Sequence, residues 1–440
     1  MTKKEFVYAL PRGLGRCVLA CRKDPEKYRD IVWKHCDTCN IFDAQCNGTH
    51  TWYWYQLICC YDDKEVFIQK IVDAFLAYKP KYGWEFYYDT QLLTYFADDG
   101  MAFVEKALWQ KYEELYMALL HRKRAPRGMF HLRNDFETLC VELATDFDRY
   151  LRIATDIGRL YLENSLYDAW DFEWLYSSVG KAFQKRLLSR AKASEPLAHY
   201  IRIHREQEES KPTRNDAKKP LSELKGRGLS YRLTEESAET VGFYAQKYLD
   251  TTDIEARTEA LLAFTYCPYP LDPMPIIEDT KSENEKLADV AWEALACVRH
   301  PKVRELALAH LTDDFERAFP LFVCNYLPED EERLTSILKH MKIDVLDTSG
   351  WHHAHFAVYD MFGKRLGVPK PPKKILPILY ETTLCPSCRK WCLELMAKYR
   401  MITPEIREEC AYDCYEDTRK AYGRRDTILQ SKMVNEEKKL

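Results

Sequence analysis

Glycine is scarce in this chain, with 15 among 440 residues. Because glycine supplies the backbone conformations of tight turns, its scarcity disfavours an architecture of many short strands and suits helices. A charge excess of one sign is also lacking, since 65 Lys and Arg face 69 Asp and Glu, for a formal net charge of −4. The chain as a whole therefore has no electrostatic attraction to nucleic acid or to anionic membranes, and such contacts would need a local patch.

Sequence signatures of four common enzyme classes are absent. The chain contains no G-x-x-x-x-G-K-[ST], no G-x-G-x-x-G, no H-E-x-x-H and no G-x-S-x-G motif. No apolar run has the length of a signal peptide or a membrane span. Sixteen cysteines are scattered through helical patterns as small buried residues. We therefore expect a cytoplasmic protein with reduced thiols and no membrane partner.

The segment 282–311 carries the clearest helical pattern. Ser282 and Glu285 have the spacing of a capping box. One helical face then collects the apolar residues Leu287, Val290, Ala291, Ala294, Leu295 and Val298. Pro301 stands where a second helix begins. Two short helices joined by so tight a turn cannot bury both apolar faces alone, so we expect similar helices stacked on either side.

Similar helical hairpins are predicted to begin near Asp253, Ser282, Asp314, Trp351 and Cys385, a spacing of roughly 30 to 37 residues. A short phrase recurs at 254–261, 302–308 and 405–410. In each copy an Arg is followed three residues later by a small residue, which one helical face brings together. The pattern predicts an array of repeated helical hairpins.

The composition suggests four segments. Residues 1–204 are predicted to form an N-terminal helical domain, 205–234 a charged linker or a mobile excursion, 235–425 a C-terminal repeat domain and 426–440 a disordered tail. Within the first domain, the aromatic run 51–58 is predicted to be a buried helix, with a strand as the alternative.

The phrase 291–295 followed by 301–308 resembles HEAT-type repeats. Together with 269–273 and 385–389, it is similar to uncharacterised bacterial proteins that contain such repeats. The resemblance covers about 235–425 and indicates that the C-terminal repeat domain is HEAT-like. It implies an all-α α-solenoid of stacked HEAT-like hairpins whose concave surface binds macromolecules, but fold analogy does not choose the partner. Two departures are visible: the period drifts between Asp314 and Trp351, and the Asp that braces the repeated Arg in many HEAT repeats is not consistently placed.

Two groups of cysteines have metal-ligand spacing. Cys385 and Cys388, with Cys410 and Cys414 further on, match a four-cysteine zinc site. Cys36 and Cys39 lie near a further group, which is Cys17, Cys21 and His35. Helix capping and core packing explain both groups as well, and we favour that interpretation. We therefore predict no bound metal and no cofactor.

Two histidines, His352 and His355, share one helical face but have no acidic partner nearby in sequence. This pair is a weak signal for a metal or a general base. We interpret both side chains as partly exposed histidines at a repeat boundary.

The basic run after residue 120 is the one segment that suggests phosphate contact. It contains Arg122, Lys123, Arg124 and Arg127, which could bind a polyanion. Some HEAT-like DNA-repair glycosylases hold the backbone of a DNA duplex against a basic inner face. A site of that kind would need aromatic side chains and a carboxylate on the concave face. Trp292, Trp351 and Asp289 are the candidates, although the position of Trp292 in the apolar pattern favours the core.

These observations favour a binding scaffold that recognises a protein partner on its concave surface. The alternative is a nucleic-acid-binding or DNA-repair protein of HEAT-like architecture. A third hypothesis places an enzyme site in the aromatic-rich N-terminal half, where a structure would then show titratable groups with perturbed pKa values. The absence of enzyme motifs makes catalysis the less favoured class.

Overall fold

We analysed a computed structural model of the chain. It describes residues 1–38, 49–81, 83–122, 129–167, 172–177, 179–210, 220–340, 348–363, 368 and 370–423. Throughout these ranges the secondary structure is helical, with connecting turns and no strand. The all-α prediction is confirmed.

The chain divides into two compact units, of which the first comprises 1–214 with 403–440 and the second 215–402. The helices of the first unit are α1 Lys3–Ala9, α2 Arg16–Lys23, α3 Pro25–His35, α4 Thr49–Ile58, α5 Lys64–Ala77, α6 Glu85–Asp98, α7 Ala102–Leu120, α8 Met129–Leu143, α9 Phe147–Glu163, α10 Glu173–Ser177, α11 Lys181–Ala191, α12 Glu195–Ser210, α24 Pro404–Cys410 and α25 Glu416–Tyr422.

Helices of the first unit pack in two layers. Helix α2 contacts α4, which contacts α6, then α8 and α10, while α5, α7 and α9 make the second row. Helix α9 packs along α12 at Gly158, where an added Cβ would lie 2.5 Å from the carbonyl carbon of Pro196. Helix α4 contains the aromatic run, and Tyr53 and Trp54 are fully buried. The helix predicted there is confirmed.

The second unit contains α13 Gly226–Leu233, α14 Ala238–Asp250, α15 Ile254–Leu262, α16 Met274–Asp279, α17 Glu285–Leu295, α18 Pro301–His310, α19 Phe315–Cys324, α20 Glu331–His340, α21 Thr348–Met361, α22 Leu376–Thr382 and α23 Pro386–Lys398. Odd-numbered helices contact one another in succession, from α13 through α15, α17, α19 and α21 to α23. Even-numbered helices pack on them, and α16 contacts α18 as α20 contacts α22. We call the first series the odd row.

The hairpin predicted at 282–311 is present as α17 and α18, but its cap differs. Asn284, not Ser282, is the N-cap of α17, and its Oδ1 accepts a hydrogen bond from the backbone N–H of Leu287 at 3.0 Å. Ser282 lies two residues earlier, and its hydroxyl accepts a hydrogen bond from the Asn284 N–H instead. The capping box predicted at Ser282 is therefore wrong, because α17 begins at Glu285 and the extended backbone of Asn284 makes that residue the N-cap.

Two segment boundaries differ from those predicted. Parts of the expected linker 205–234 are helical, since α12 extends to Ser210 and α13 spans Gly226–Leu233, while 211–219 lie outside the described residues. The segment 235–425, expected to form one repeat domain, is divided between the two units, because residues from Thr403 belong to the first unit. The expected tail 426–440 also lies outside the described residues. Sequence periodicity alone does not show where a helix returns in space.

Among the described helices, none combines the length and the apolar character that crossing a bilayer requires.

Candidate functional site

The recurring Arg occupies the fourth position of its helix. This position holds Arg257 in α15, Arg304 in α18, Arg389 in α23 and Arg407 in α24. Three of these helices begin with Pro and share the pattern Pro-x-x-Arg. The pattern adds 386–389 to the three copies of the phrase found in the sequence.

Two of these arginines bind carboxylates that follow them in the chain. Arg304 makes a bidentate ion pair with Asp330, at 2.7 and 3.0 Å, and Asp330 is 5% exposed. The Nε of Arg257 donates to Asp279 at 2.8 Å. These carboxylates lie 26 and 22 residues after their arginines. The unequal spacing explains why the bracing residues were not recognisable from the sequence. Asp330 is buried and Asp279 is half-buried, which favours a structural role for both ion pairs.

The four predicted zinc candidates do not belong to one unit. Cys385 and Cys388 lie at the start of α23 in the second unit, whereas Cys410 and Cys414 belong to the first. Cys385 is the N-cap of α23, and its Sγ accepts from the backbone N–H of Cys388 at 3.5 Å. Among the described residues, no group of three or more His, Cys, Asp or Glu is placed to hold a metal ion.

The N-terminal cysteine group is buried. Burial raises the pKa of Cys17 and of Cys36 to about 12, which opposes the thiolate form that binds metals. Cys36 also donates a hydrogen bond to the Trp33 carbonyl at 3.4 Å. Burial, with the neighbouring charge of Lys34, lowers the pKa of His35. Cys39 lies outside the described residues.

Two of the three glycosylase candidates, Trp292 and Asp289, have partners within the fold. Trp292 is 6% exposed and meets the His310 ring edge-on, with centroids 5.6 Å apart. Asp289 is ion-paired with Arg317 of α19. The side chains of Trp351 and His352 lie outside the described residues, and His355 is buried beside Tyr359 rather than partly exposed.

Of the basic connector, Arg122 is described, and its backbone carbonyl accepts a hydrogen bond from the Asn164 side chain at 2.9 Å. Lys123, Arg124 and Arg127 lie outside the described residues.

An aromatic pair is exposed at one end of the odd row. Phe356 of α21 and Trp391 of α23 have ring centroids 5.2 Å apart with planes at 61°, and they are 38% and 40% exposed. Beneath them Tyr359 is buried, and its hydroxyl donates to the Cys388 carbonyl at 2.5 Å. This contact fixes the ring on which Trp391 rests, with centroids 6.2 Å apart. The pair is a rigid apolar feature that faces solvent.

A second aromatic pair, in which one ring is exposed and the other half-buried, lies at the other end of the row. The rings of Tyr231 on α13 and Tyr266 after α15 stack with centroids 4.1 Å apart, and Tyr231 is 57% exposed. The Ser230 hydroxyl accepts from the backbone N–H groups of Tyr266 and Cys267, at 2.8 and 3.2 Å. These bonds hold the loop after α15 against α13. Nothing in the sequence pattern marked this contact, because its two rings are separated by 35 residues.

Ion pairs between helices lie along the row between the two aromatic pairs. Arg227 of α13 contacts both carboxylate oxygens of Glu293 on α17 at 3.1 Å, and Arg317 of α19 contacts Asp289, one turn before Glu293. Exposed pairs of this kind add little stability, so their main effect is to set the charge pattern of the row. The row therefore combines exposed aromatic rings with a polar centre.

A buried group of titratable residues lies in the first unit, on α6, α7 and α8. Asp135 of α8 is 8% exposed, and its Oδ2 is buried with no hydrogen-bond partner among the described residues. Burial raises the pKa of Asp135 to about 7, and the Glu85 carboxylate adds to this rise, whereas Tyr78 and Lys111 oppose it. The Lys111 ammonium donates to the carbonyls of Leu76 and Tyr78, at 3.2 and 2.8 Å. The raised pKa of Asp135 is of the kind expected for an enzyme site, but burial alone also produces such a shift.

The Asp135→Asn variant should be more stable than the wild type at high pH. Between about pH 4 and pH 7 the folded state keeps a proton that the unfolded state has released, so wild-type stability falls as pH rises through this window. Asparagine removes the ionisation. We expect a gain of about 2 to 4 kcal/mol in the free energy of unfolding at pH 8 and almost none at pH 4.

Urea denaturation at both pH values checks this expectation. Asp30→Asn makes the same charge change at an exposed position of α3 and serves as the control. Equal effects of the two substitutions at pH 8 would show that Asp135 carries no burial penalty.

In comparisons with known proteins, no family model, no curated protein and no solved structure matches the chain.

Proposed function

We propose that the second unit is an α-solenoid of HEAT-like hairpins and that its odd row binds a protein partner. The observation that carries the proposal is the exposed pair of Phe356 and Trp391 on neighbouring helices. Large aromatic side chains that are held rigid and exposed are enriched among the residues that dominate binding energies at protein interfaces. The buried support from Tyr359 means that little side-chain entropy is lost on binding.

The succession of contacts from α13 to α23 supports the solenoid. In a solenoid each hairpin packs on its neighbours in sequence, so equivalent helices form one row. The two braced arginines, Arg257 and Arg304, stand at the same position of their helices, as repeated units require. An experimental structure tests the arrangement: direct packing of α13 against α23 would indicate a closed bundle and exclude an open row.

The partner is a protein with apolar side chains that can cover the two aromatic pairs. The polar centre of the row, with Arg227, Glu293, Asp289 and Arg317, presents charges of both signs and gives no preference for a polyanion. A row of this kind suits an extended polypeptide that meets one aromatic pair at each end.

Trp391→Ala should weaken partner binding by about 2 kcal/mol or more, which is roughly 30-fold in Kd. The measurement begins with affinity purification of the tagged protein from its native cells, with and without nuclease, and mass spectrometry of the bound proteins. Binding of an identified partner is then measured for each variant. Trp84→Ala is the matched control, because Trp84 is 43% exposed but lies in the first unit.

Two results would count against this proposal. Partner binding could survive Trp391→Ala unchanged, which would place the interface elsewhere. Partners could instead be lost on nuclease treatment, which would favour the nucleic-acid alternative. In that case neutralising Arg122, Lys123, Arg124 and Arg127 together should flatten the salt dependence of binding.

We place the protein in the cytoplasm as part of the same proposal. The described cysteines are thiols rather than disulfides, and most are buried, as is common in proteins of reducing compartments. Fractionation of cells that express the tagged protein tests this placement, and recovery from an oxidising compartment would refute it.

A further inference from the structure

A cavity of about 180 Å³ lies in the first unit between α10, α11 and α12. Its apolar wall is formed by Tyr176, Leu187, Leu188 and Ile201. Tyr176, Leu187 and Ile201 are at most 4% exposed, while Leu188 is 41% exposed and lies toward solvent. A cavity of about 150 Å³ is large enough for one benzene ring. The space therefore suits a single ring or a short aliphatic group.

The wall of the cavity is preorganised by a buried aromatic group. The Tyr176 ring stacks on His204, with centroids 4.9 Å apart and planes at 10°, and His204 also meets the Tyr200 ring at 4.6 Å. Tyr161 and His204 share a hydrogen bond of 3.2 Å between the hydroxyl and Nε2. His204 and Tyr200 are fully buried. These contacts hold the Tyr176 side of the apolar wall in place.

Two cations, Lys185 of α11 and Arg205 of α12, line the same cavity. Neither forms an ion pair with any residue that the structure describes. Along 181–205 the chain carries seven Lys or Arg and one acidic residue, Glu195. Lys185 and Arg205 therefore bring two positive charges from neighbouring helices to one cavity, with no carboxylate among the residues that line it. They can both reach an anion held between the helices.

We infer that this cavity binds a small organic anion, with the anionic group between Lys185 and Arg205 and a short apolar group against Tyr176 and Ile201. Aryl or short alkyl phosphates and carboxylates have this chemistry. The inference concerns the first unit and does not depend on the protein-binding function proposed for the second.

A nucleic acid fits the same place less well. Binding of single strands relies on exposed aromatic rings on which bases can stack. The aromatic rings near α11 and α12 are covered. Tyr200 is fully buried and Tyr176 is 4% exposed. The Arg186 guanidinium lies over the Phe147 ring, 3.6 Å from its centroid. The geometry thus favours a small molecule over a polymer.

Isothermal titration calorimetry of the full chain with phenyl phosphate tests the inference. We expect saturable binding at millimolar concentration or below, with inorganic phosphate and phenol each at least about tenfold weaker, because each supplies one half of the interaction. Lys185→Gln and Arg205→Gln should each weaken phenyl phosphate binding by about tenfold. Both side chains are exposed, so we expect both variants to fold, which circular dichroism would verify.

Lys192→Gln is the matched control, because Lys192 caps the end of α11, is exposed and does not line the cavity. Its binding should equal that of the wild type. The inference is overturned if phenyl phosphate fails to bind saturably, or if Lys192→Gln weakens its binding as much as Lys185→Gln. Tight binding of a single-stranded oligonucleotide with a steep salt dependence, without binding of phenyl phosphate, would also overturn it and assign the hairpin to nucleic acid.

Discussion

Gly15→Ala should destabilise the first unit by about 3 kcal/mol or more. A Cβ at Gly15 would lie 2.7 Å from the Tyr412 carbonyl carbon and 2.9 Å from the Asp413 nitrogen, with the Glu409 carbonyl oxygen closer still. These are backbone atoms, which cannot rotate away as the end of a side chain can. The φ of Gly15 is −57°, an ordinary value, so the expected loss comes from lack of space and not from backbone strain.

The reason for this close approach is the return of the chain to its beginning. The Cys414 N–H donates to the Gly13 carbonyl at 3.0 Å, and Arg16 pairs with the buried Glu409 at 2.9 Å. The Arg22 guanidinium lies over the Tyr412 ring at 4.3 Å. Residues after 402 therefore complete the core around α2, and an added methyl group would push them out.

Hydrogen exchange with mass spectrometry checks this prediction locally. In Gly15→Ala, amides in 403–423 and in α2 should exchange faster, while those of the second unit should keep their wild-type rates. Gly180→Ala is the control, since an added Cβ there meets nothing within 4 Å. Unchanged exchange in 403–423 would show that the C-terminal segment does not pack on Gly15 as described.

Arg304→Ala should cost the second unit about 3 to 5 kcal/mol. The variant leaves the Asp330 carboxylate, 5% exposed, without its bidentate partner, although the Leu327 N–H still donates to it at 2.9 Å. When a buried charge loses its counterion, its desolvation penalty is no longer offset by the ion pair, and the folded state is destabilised. The loss should therefore far exceed that of an exposed ion pair.

Arg227→Ala is the matched control for this effect. Its pair with Glu293 has side chains 62% and 45% exposed, and removal of such a pair costs less than about 1 kcal/mol. Urea denaturation of both variants, followed by tryptophan fluorescence, measures the difference. Equal costs would mean that solvent reaches the Arg304 pair and that the repeated Arg is not a structural brace.

The ion pairs of Arg257 and Arg304 show why the arginines of the repeat recur visibly in the sequence while their carboxylate partners do not. The arginines recur because a helix presents its fourth residue at the same place each time. Their acids lie in different local structures, Asp279 in α16 and Asp330 in a turn before α20. A carboxylate can reach the same guanidinium from several chain positions, so its spacing is free to drift while the contact is kept.

The sequence by itself determined the secondary structure of individual segments. Helical class, the aromatic helix α4 and the starts of α15 at Asp253, α18 at Pro301 and α23 at Cys385 follow from periodicity and capping residues, which act within a few residues. These features depend on hydrogen bonds and side-chain spacing along one helix. They need no information about the rest of the chain.

The long-range features were decided only by the tertiary structure. The return of 403–423 to Gly13 and Gly15, the pairing of Phe356 with Trp391, and the meeting of Lys185 with Arg205 at one cavity all join residues on different helices. The same apolar face of a helix can pack against many partners with similar gain, because hydrophobic burial is not directional. Only the simultaneous packing of all helices selects which residues meet.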